Sequence, residues 1–285
     1  MKLFFRQFSL DFSQKTHVMG ILNITPDSFT DGGLFFRRDS AIEHGLRMVE
    51  EGADIIDVGG ESTRPGSEPV EYEEEVRRII PVIDALAKRI KVPISIDTYK
   101  ADVAKRALDA GASIINDISG LRFDPGMPKV AAECRVPIVL MHIKGTPKNM
   151  QVNPEYEALI PEIVDYLRIS IKLAIDSGVR EEMIIVDPGI GFGKTFEHNL
   201  EILRNLHEFT LLEKPLLVGP SRKAFIGKIL GNASSSERME GTAAAVAISI
   251  MNGANIVRVH DVEEMGRVAR VADAIKSGRI PKSSN

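Results

Sequence analysis

The segment Gly111-Ala-Ser-Ile-Ile-Asn116 contains the pattern that decides the fold. A glycine that can end a helix is followed at once by a short apolar run, and the run stops at a polar side chain. The same joint recurs at Gly52-Ala53-Asp54 and at Gly253-Ala254-Asn255, and Gly178-Val179 resembles it. A helix end followed directly by a strand is typical of a repeated βαβ unit. The sequence therefore predicts helices that alternate with buried parallel strands.

Eight such apolar runs occur along the chain, and each stops at a residue that can take part in chemistry. Short, near-continuous apolar runs are typical of strands that are buried on both faces. Eight of them predict an α/β fold, the (β/α)8 TIM barrel, in which the active site lies where the strands end. The residues at these ends are Asn23, Asp57, Asp97, Asn116, His142, Asp187, Ser221 with Lys223, and Arg258 with His260.

The length of 285 residues suits a single (β/α)8 domain over residues 1–285, with the barrel from about residue 15 to about residue 278. Imperfect alternation over Leu3–Phe12 indicates a segment that can form a β-hairpin closing the barrel floor. Asp39 is the expected N-cap of the first helix. Helices are expected over about 40–51, 71–89, 100–110, 126–134, 154–177, 198–208, 237–252 and 261–277.

The composition argues against several classes of partner. A net charge of -4 gives no electrostatic basis for binding nucleic acid or an anionic membrane surface. No stretch approaches the roughly 18–20 apolar residues of a membrane span, and the first residues have too short an apolar core for a signal peptide. The single Cys134 cannot form an internal disulfide. We therefore expect a cytoplasmic protein with neither nucleic-acid nor membrane partners.

Two glycine patterns after Asp187 resemble nucleotide-binding motifs without matching them. The segment Pro188–Thr195 nearly forms a P-loop, but that motif needs glycine at the position of Pro188. The spacing of its glycines is G-x-G-x-G, whereas dinucleotide-binding folds use G-x-G-x-x-G. We interpret these glycines as part of a tight loop close to a ligand.

Eight phrases between about residue 18 and residue 262 resemble, in order, the dihydropteroate synthase family of folate biosynthesis. The resemblance implies a (β/α)8 transferase that joins 6-hydroxymethyl-7,8-dihydropterin pyrophosphate to p-aminobenzoate and releases pyrophosphate. It also implies a homodimer, for which the small residues of 241–251 suit close helix packing. The phrases cover residues 20–29, 57–66, 95–97, 115–120, 141–147, 187–194, 219–223 and 258–261.

The edge of a pterin ring presents two neighbouring N–H donors, which a carboxylate accepts in a forked geometry, so Asp187 is the best candidate to bind it. Asn116 offers a donor and an acceptor for the rest of that edge, and Lys223 can donate to the ring carbonyl. The resemblance adds Asp97 to this set, with Met141 packed on the ring and Arg258 stacked over it. The alternative is that Asn116 and Asp187 only satisfy backbone groups at strand ends. We interpret Asp57 and Asp117 as structural.

We expect the pyrophosphate and p-aminobenzoate groups to be bound by residues at the remaining strand ends and on two long loops. Arg64, Arg258 and His260 are cations or donors suited to pyrophosphate, and the Asn23 carbonyl oxygen is an acceptable ligand for Mg²⁺. The resemblance gives Asn23 this metal role and adds Thr63 to the phosphate contacts. It also implies a p-aminobenzoate pocket that consists of Phe29, Pro65, Phe192 and Ser221.

None of the candidate residues resembles an activated nucleophile with its base, which favours direct transfer through a dissociative step. Mg²⁺, Arg64, Arg258 and His260 then stabilise the departing pyrophosphate, and Asp97 stabilises the developing pterin cation. The predicted catalytic residues are Asp97, Lys223, Arg258 and His260. Two alternatives stay open. A pterin-dependent methyltransferase domain lacks the phrases at 63–66 and 221–223, and a catalytically silent paralogue requires losses in the anion pocket.

Overall fold

The chain begins with an antiparallel hairpin of β1 (Lys2–Phe5) and β2 (Phe8–Asp11). The computed structural model describes residues 1–25 and 34–280, with the backbone alone for residues 34–37. Leu3, Phe5 and Leu10 point into the barrel core, and the Arg6 guanidinium donates to the carbonyl oxygen of Ala112 at 2.7 Å. That carbonyl lies just before a barrel strand begins, so the hairpin covers the floor, as the alternation predicts.

Eight parallel strands form the barrel, and each is a short apolar run that ends where the sequence predicts. Alternate strand residues point into the barrel interior and towards the surrounding helices, so both faces are buried. The strands are β3 (His17–Asn23), β4 (Ile55–Gly59), β5 (Ile94–Asp97), β6 (Ile114–Asp117), β7 (Ile138–Met141), β8 (Ile184–Asp187), β9 (Leu217–Val218) and β10 (Ile256–Val259).

The strands follow one another around the barrel in the order β8-β7-β6-β5-β4-β3-β10-β9. The remaining gap, between β8 and the two-residue β9, is closed by a parallel bridge from Val186 to Leu216. The Val186 N–H also donates to the Pro215 carbonyl oxygen at 2.9 Å. The predicted (β/α)8 barrel is therefore confirmed, and the carboxyl ends of its strands face one mouth.

The helices surround the barrel and match the predicted segments, with three differences. Asp39 does not cap a helix: it lies inside the first one and pairs with Arg38 at 3.3 Å. The fifth helix begins at Leu159, five residues after its predicted start, and α7 was not predicted. The helices are α1 (Leu34–Glu50), α2 (Tyr72–Ala87), α3 (Ala101–Asp109), α4 (Met127–Cys134), α5 (Leu159–Asp176), α6 (Phe196–Arg204), α7 (Ala224–Ile229), α8 (Met239–Met251) and α9 (Val262–Ser277).

The recurrent glycine joint works as the sequence indicates. Gly52, Gly111 and Gly253 have φ angles of 99°, 119° and 112°, values that an L side chain rarely adopts. Each glycine ends one helix, and the next strand begins three residues later. This repeated geometry carries every strand end to the same side of the barrel, which is what places the candidate site.

Candidate active site

Arg258 on β10 reaches across the mouth of the barrel and joins two carboxylates. Its Nε donates to Asp57 Oδ2 at 2.6 Å, and its Nη2 donates to Asp97 Oδ2 at 2.6 Å. Asn116 donates its side-chain amide to the same Asp57 oxygen at 3.1 Å. Residues that are up to 201 positions apart in sequence therefore form one cluster, which is the convergence that the strand ends predict.

Asp57 belongs to this cluster, so its interpretation as a structural residue was incomplete. It is fully buried and serves as the shared acceptor for Arg258 and Asn116. Asp117, also fully buried, does hold local structure: it accepts from the Ser119 hydroxyl at 2.7 Å and from the Leu121 N–H at 2.7 Å. Asp57 and Asp117 occupy similar positions in the sequence pattern, and only their hydrogen-bond partners distinguish their roles.

Two carboxylate oxygens at the centre of the cluster lack a hydrogen-bond partner in the described part of the chain. They are Asp57 Oδ1 and Asp97 Oδ1, and both atoms are buried. Buried polar atoms are nearly always satisfied in native proteins, so such atoms call for an explanation. A ligand that carries several N–H donors and enters the mouth would supply the missing partners.

Burial and neighbouring charges shift the acid–base properties of this cluster. Burial raises the pKa of Asp97, although Arg258 opposes the shift. Burial also disfavours the charged form of Arg258, but Asp57 and Asp97 outweigh it and raise the pKa of the guanidinium further. Arg258 therefore stays protonated and carries a fixed positive charge at the mouth.

Asp187 and Lys223 face the same space from β8 and from the segment before α7. Burial raises the pKa of Asp187 to about 6, and burial with nearby Arg258 lowers the pKa of Lys223 to about 8. One Asp187 oxygen accepts the Gly189 N–H at 2.7 Å, which fixes the carboxylate. Lys223 Nζ lies 4.3 Å from the centre of the Phe192 ring, within range of a cation–π contact.

A small apolar shelf lies beside these polar groups. It is a separate buried cluster, distinct from the main core, and a flat ring can pack on it. Gly189 lies so close to it that an added Cβ would be 3.3 Å from Met141 Cγ and 1.9 Å from the His142 carbonyl oxygen. The residues of the shelf are Ile118, Met141, Ile143, Met150 and Phe192.

Ser221, which follows β9, and His260, which follows β10, form a pair at the mouth. The Ser221 hydroxyl lies 2.9 Å from His260 Nδ1 and accepts the His260 N–H at 3.2 Å. Burial, with the nearby Arg258 and Arg222, lowers the pKa of His260 to about 3. His260 is therefore a neutral hydrogen-bonding group rather than a cation. Ser221 lies three residues before α7 begins and not within its first turn.

Asn23, at the end of β3, and Asp97 flank the same gap above Gly59. A Cβ added to Gly59 would lie 3.7 Å from Asn23 Oδ1 and 3.6 Å from Asp97 Oδ2. Two oxygen acceptors therefore face a space that only a glycine leaves open. The described residues hold no cluster of three or more His, Cys, Asp or Glu side chains that suits a metal ion.

The predicted loop residues are less closely connected to this cluster. Thr63 is half-buried, and Arg64 and Pro65 are exposed. No hydrogen bond or ion pair links the Arg64 side chain to the strand-end cluster within residues 1–25 and 34–280. The loop is nevertheless anchored, because the Gly66 N–H donates to the Pro147 carbonyl oxygen at 3.0 Å. Phe29 lies outside the described residues.

One residue close to the site was overlooked in the sequence. Lys194 is buried almost completely, with 2% of its surface exposed, and its Nζ lies 2.8 Å from His142 Nδ1. The sequence did contain a signal: Lys194 ends the glycine segment that resembles a P-loop. We interpreted that segment as a tight loop and assigned no role to its lysine.

The geometry of the site agrees with the similarity of this chain to known proteins. The family model for pterin-binding enzymes matches residues 19–260. The chain belongs to this family. It is 52% identical over 269 residues to the dihydropteroate synthase of Synechocystis, covering 94% of this chain and 93% of that protein. The predicted family is therefore confirmed, and the chain is an enzyme of the transferase class.

Solved structures of the family superpose closely on the barrel. A dihydropteroate synthase from Yersinia pestis, solved with a sulfonamide drug, has a TM-score of 0.92 at 44% identity and covers 97% of this chain and 100% of that one. One from Clostridium difficile, solved with pteroic acid, has a TM-score of 0.89 at 48% identity, with coverages of 93% and 98%. None of the helices in the described residues is long and apolar enough to span a membrane.

Proposed function

We propose that this chain condenses 6-hydroxymethyl-7,8-dihydropterin pyrophosphate with p-aminobenzoate to give 7,8-dihydropteroate and pyrophosphate. The observation that carries the proposal is the convergence of Arg258, Asp57, Asp97 and Asn116, with two buried carboxylate oxygens left unpaired. A pterin ring, with its exocyclic amine and ring N–H groups, is a ligand that such a mouth would satisfy.

The pterin would lie between the polar cluster and the apolar shelf. Asp187 would accept the paired N–H donors of the ring edge, since its carboxylate is fixed by Gly189. Asn116 would complete the edge, Lys223 would donate to the ring carbonyl, and Met141 would pack on one face. Arg258 would stack over the other face, which requires it to keep its anchors on Asp57 and Asp97.

The pyrophosphate would bind towards the entrance of the mouth. Thr63 and Arg64 on the anchored loop, Arg258 and the neutral His260 supply donors there. Asn23 Oδ1 beside the open space at Gly59 suits Mg²⁺, which binds few protein oxygens and keeps water and substrate phosphate. When bound, the ion would neutralise charge on the pyrophosphate oxygens. Asn23 would hold it, and Arg64 and Arg258 would share the remaining charge.

The p-aminobenzoate would approach from the side of Ser221 and Phe192. The Ser221–His260 pair offers hydrogen bonds for the benzoate carboxylate, and the Phe192 ring offers an apolar wall. Pro65 and Phe29 on the long loops would complete the pocket. Because the shelf joins Phe192 to Met141, the arylamine nitrogen would lie close to the pterin methylene carbon.

The chemistry would be a transfer through a dissociative step, without a covalent enzyme intermediate. The bond from the pterin methylene carbon to the pyrophosphate oxygen would break, with its electron pair leaving on pyrophosphate. The arylamine nitrogen would then bond to that carbon and lose a proton to solvent. Asp97, at the centre of the mouth, would stabilise the pterin cation between these events, and preorganised charge of this kind is often the largest catalytic contribution.

We propose further that the enzyme works in the cytoplasm as a homodimer. Helix α8 buries Ala245 and Val246 against its own barrel but leaves Ile248 and Met251 49% and 46% exposed. An apolar helix face that the barrel does not cover suits a second copy of the chain. Sedimentation analysis of the purified protein and of an Ile248→Glu variant would test the assembly.

One assay tests the reaction and separates it from its alternatives. The protein is incubated with the pterin pyrophosphate, p-aminobenzoate and Mg²⁺, and dihydropteroate is measured by chromatography. We expect product, and we expect an Asp97→Ala variant to make almost none. Pterin binding without product would point to a silent paralogue. Methyl transfer from a methylated pterin, in place of dihydropteroate, would indicate a methyltransferase domain.

A further inference from the structure

The loop between Asp187 and Lys194 is held in one conformation by side chains that surround it. The side-chain oxygen Oδ1 of Asn199 accepts the Gly191 N–H at 2.7 Å, and the Gln151 side-chain amide donates to the Gly191 carbonyl oxygen at 2.7 Å. The Tyr156 hydroxyl donates to the Gly193 carbonyl oxygen, also at 2.7 Å. The loop therefore has little freedom, and its shape is set from outside.

Lys194 completes this set of contacts from beneath the loop. Its Nζ donates to the Phe192 carbonyl oxygen at 3.0 Å and lies 2.8 Å from His142 Nδ1. No carboxylate bonds to this nitrogen within the described residues, and burial lowers the pKa of Lys194 well below its ordinary value. Burying a lysine this deeply is costly unless its hydrogen bonds are specific. Packing alone does not explain a lysine at this position, because an apolar side chain of the same length would fill the space without the cost of desolvating a polar nitrogen.

His142 connects Lys194 to the strand that carries the pterin-binding carboxylate. The backbone N–H of His142 donates to the Asp187 carbonyl oxygen at 2.9 Å and so continues the ladder between β7 and β8. Its ring packs edge-on against Tyr166, with centroids 4.5 Å apart. Burial lowers the pKa of His142, so the ring is neutral and Nδ1 can accept from the lysine. Lys194 is thereby tied to a fixed point of the barrel.

The atom that Lys194 holds on the loop is next to a functional side chain. Fixing the Phe192 carbonyl constrains the backbone from which the Phe192 ring projects towards Lys223 Nζ and the apolar shelf. The Asp187 carboxylate is fixed separately, by the Gly189 N–H. The two ends of the loop are therefore positioned by different contacts.

We propose that Lys194, through His142 and the Phe192 carbonyl, is a positioning residue that sets the Phe192 ring for the aryl co-substrate. The inference rests on the proposed function, in which Phe192 forms the wall of the p-aminobenzoate pocket. Lys194 does not touch either substrate. Its removal alters the recognition of p-aminobenzoate and spares the recognition of the pterin.

The test is a split between kinetic constants in Lys194→Met, which keeps the length of the side chain and removes its terminal nitrogen. We expect the KM for p-aminobenzoate to rise roughly tenfold, because the hydrogen bond to the Phe192 carbonyl oxygen is lost. The kcat and the Kd for the pterin should stay within about twofold. Lys129→Met is the control, since the Lys129 side chain is 78% exposed on α4 and pairs with Glu133 rather than with the loop.

A second variant and a spectroscopic probe keep the test decisive if Lys194→Met does not fold. Lys194→Gln retains a donor for the loop, and we expect a rise of about threefold in the same KM. The chain contains no tryptophan, so Phe192→Trp introduces a single tryptophan, which can be excited selectively over the four tyrosines. Its emission should shift to the red when Lys194→Met or Lys194→Gln is added, because the ring leaves its buried position.

The outcomes separate the inference from the function on which it rests. A loss of thermal stability with an unchanged KM and an unchanged tryptophan emission would show that Lys194 is structural only. Equal changes in the pterin Kd and in the p-aminobenzoate KM would also overturn the positioning role. If the unsubstituted protein makes no dihydropteroate, the proposed function fails, and the tryptophan emission still reports whether Lys194 places residue 192.

Discussion

Replacing Asp57 by alanine should damage the reaction far more than replacing Asp117 by alanine. The two aspartates are both fully buried, Asp57 within β4 and Asp117 at the end of β6, and β5 lies between these strands. Asp57→Ala removes the shared acceptor of Arg258 and Asn116, whereas Asp117→Ala removes the acceptor of local loop donors. The pair therefore separates a role in the site from a role in the fold.

The expected magnitudes follow from the contacts. Breaking a buried ion pair costs about 3–5 kcal/mol, and Arg258 keeps its second partner, Asp97, so we expect about 3 kcal/mol of lost stability for Asp57→Ala. That loss should lower Tm by about 6 °C or more. Asp117→Ala leaves several donors unpaired and should lose a similar amount. Both losses lie within the free energy of unfolding of an ordinary domain.

Activity should differ where stability does not. With Asp57 gone, Arg258 and Asn116 both lose their alignment, and we expect kcat/KM to fall about 100-fold. Asp117→Ala should keep kcat/KM within about threefold when the temperature is well below its Tm. Steady-state formation of dihydropteroate, with circular dichroism melts of both variants, gives the measurement. Equal loss of activity in the two variants would refute the assignment of Asp57 to the site.

Three further predictions concern the same mouth. Asp97→Asn should reduce kcat by at least about 100-fold while changing the pterin Kd by less than about threefold, as measured by single-turnover kinetics and calorimetry. Burial raises the pKa of Asp187 to about 6, and only the ionised carboxylate accepts two N–H donors. Pterin affinity should therefore be constant above about pH 6 and weaken as the pH falls through the pKa of Asp187. A pterin Kd that stays constant down to about pH 5 would contradict this expectation. Removing Mg²⁺ with a chelator should abolish turnover without lowering Tm, and Asn23→Ala should need a higher Mg²⁺ concentration for half-maximal rate, which a titration of rate against Mg²⁺ measures.

The barrel and much of its mouth could be predicted because they depend on local pattern. A glycine joint, an apolar run and a polar stop are all visible within a few residues, and Asn116 and Asp187 take their positions from such runs alone. The first helix was harder, because Asp39 has the composition of an N-cap while its carboxylate pairs with Arg38 inside the helix. Helix α7 spans six residues, too few for an apolar period to be recognised.

The parts of the site that were missed depend on contacts between distant segments. The role of Asp57 is decided by Arg258, which is 201 residues away along the chain. Lys194 and His142 are 52 residues apart, and neither position has a local pattern that indicates the other. Burial also decides the charge of His260, which its residue type leaves open. Sequence periodicity gives the faces of elements, but it does not give pairings across a barrel.

The closure of the barrel between β8 and β9 has a consequence for how the two substrates are held in register. This seam consists of one bridge and few backbone hydrogen bonds, while the other adjacent strand pairs share longer ladders. Asp187 ends β8, on one side of this contact, and Ser221 follows β9, on the other side. Transient separation of β8 and β9 would change the distance between the bound pterin and the bound p-aminobenzoate, while the other strands keep their hydrogen bonds. Amide exchange at Val186, whose N–H donates to the Pro215 carbonyl oxygen, should therefore slow when ligands bind on both sides of this contact.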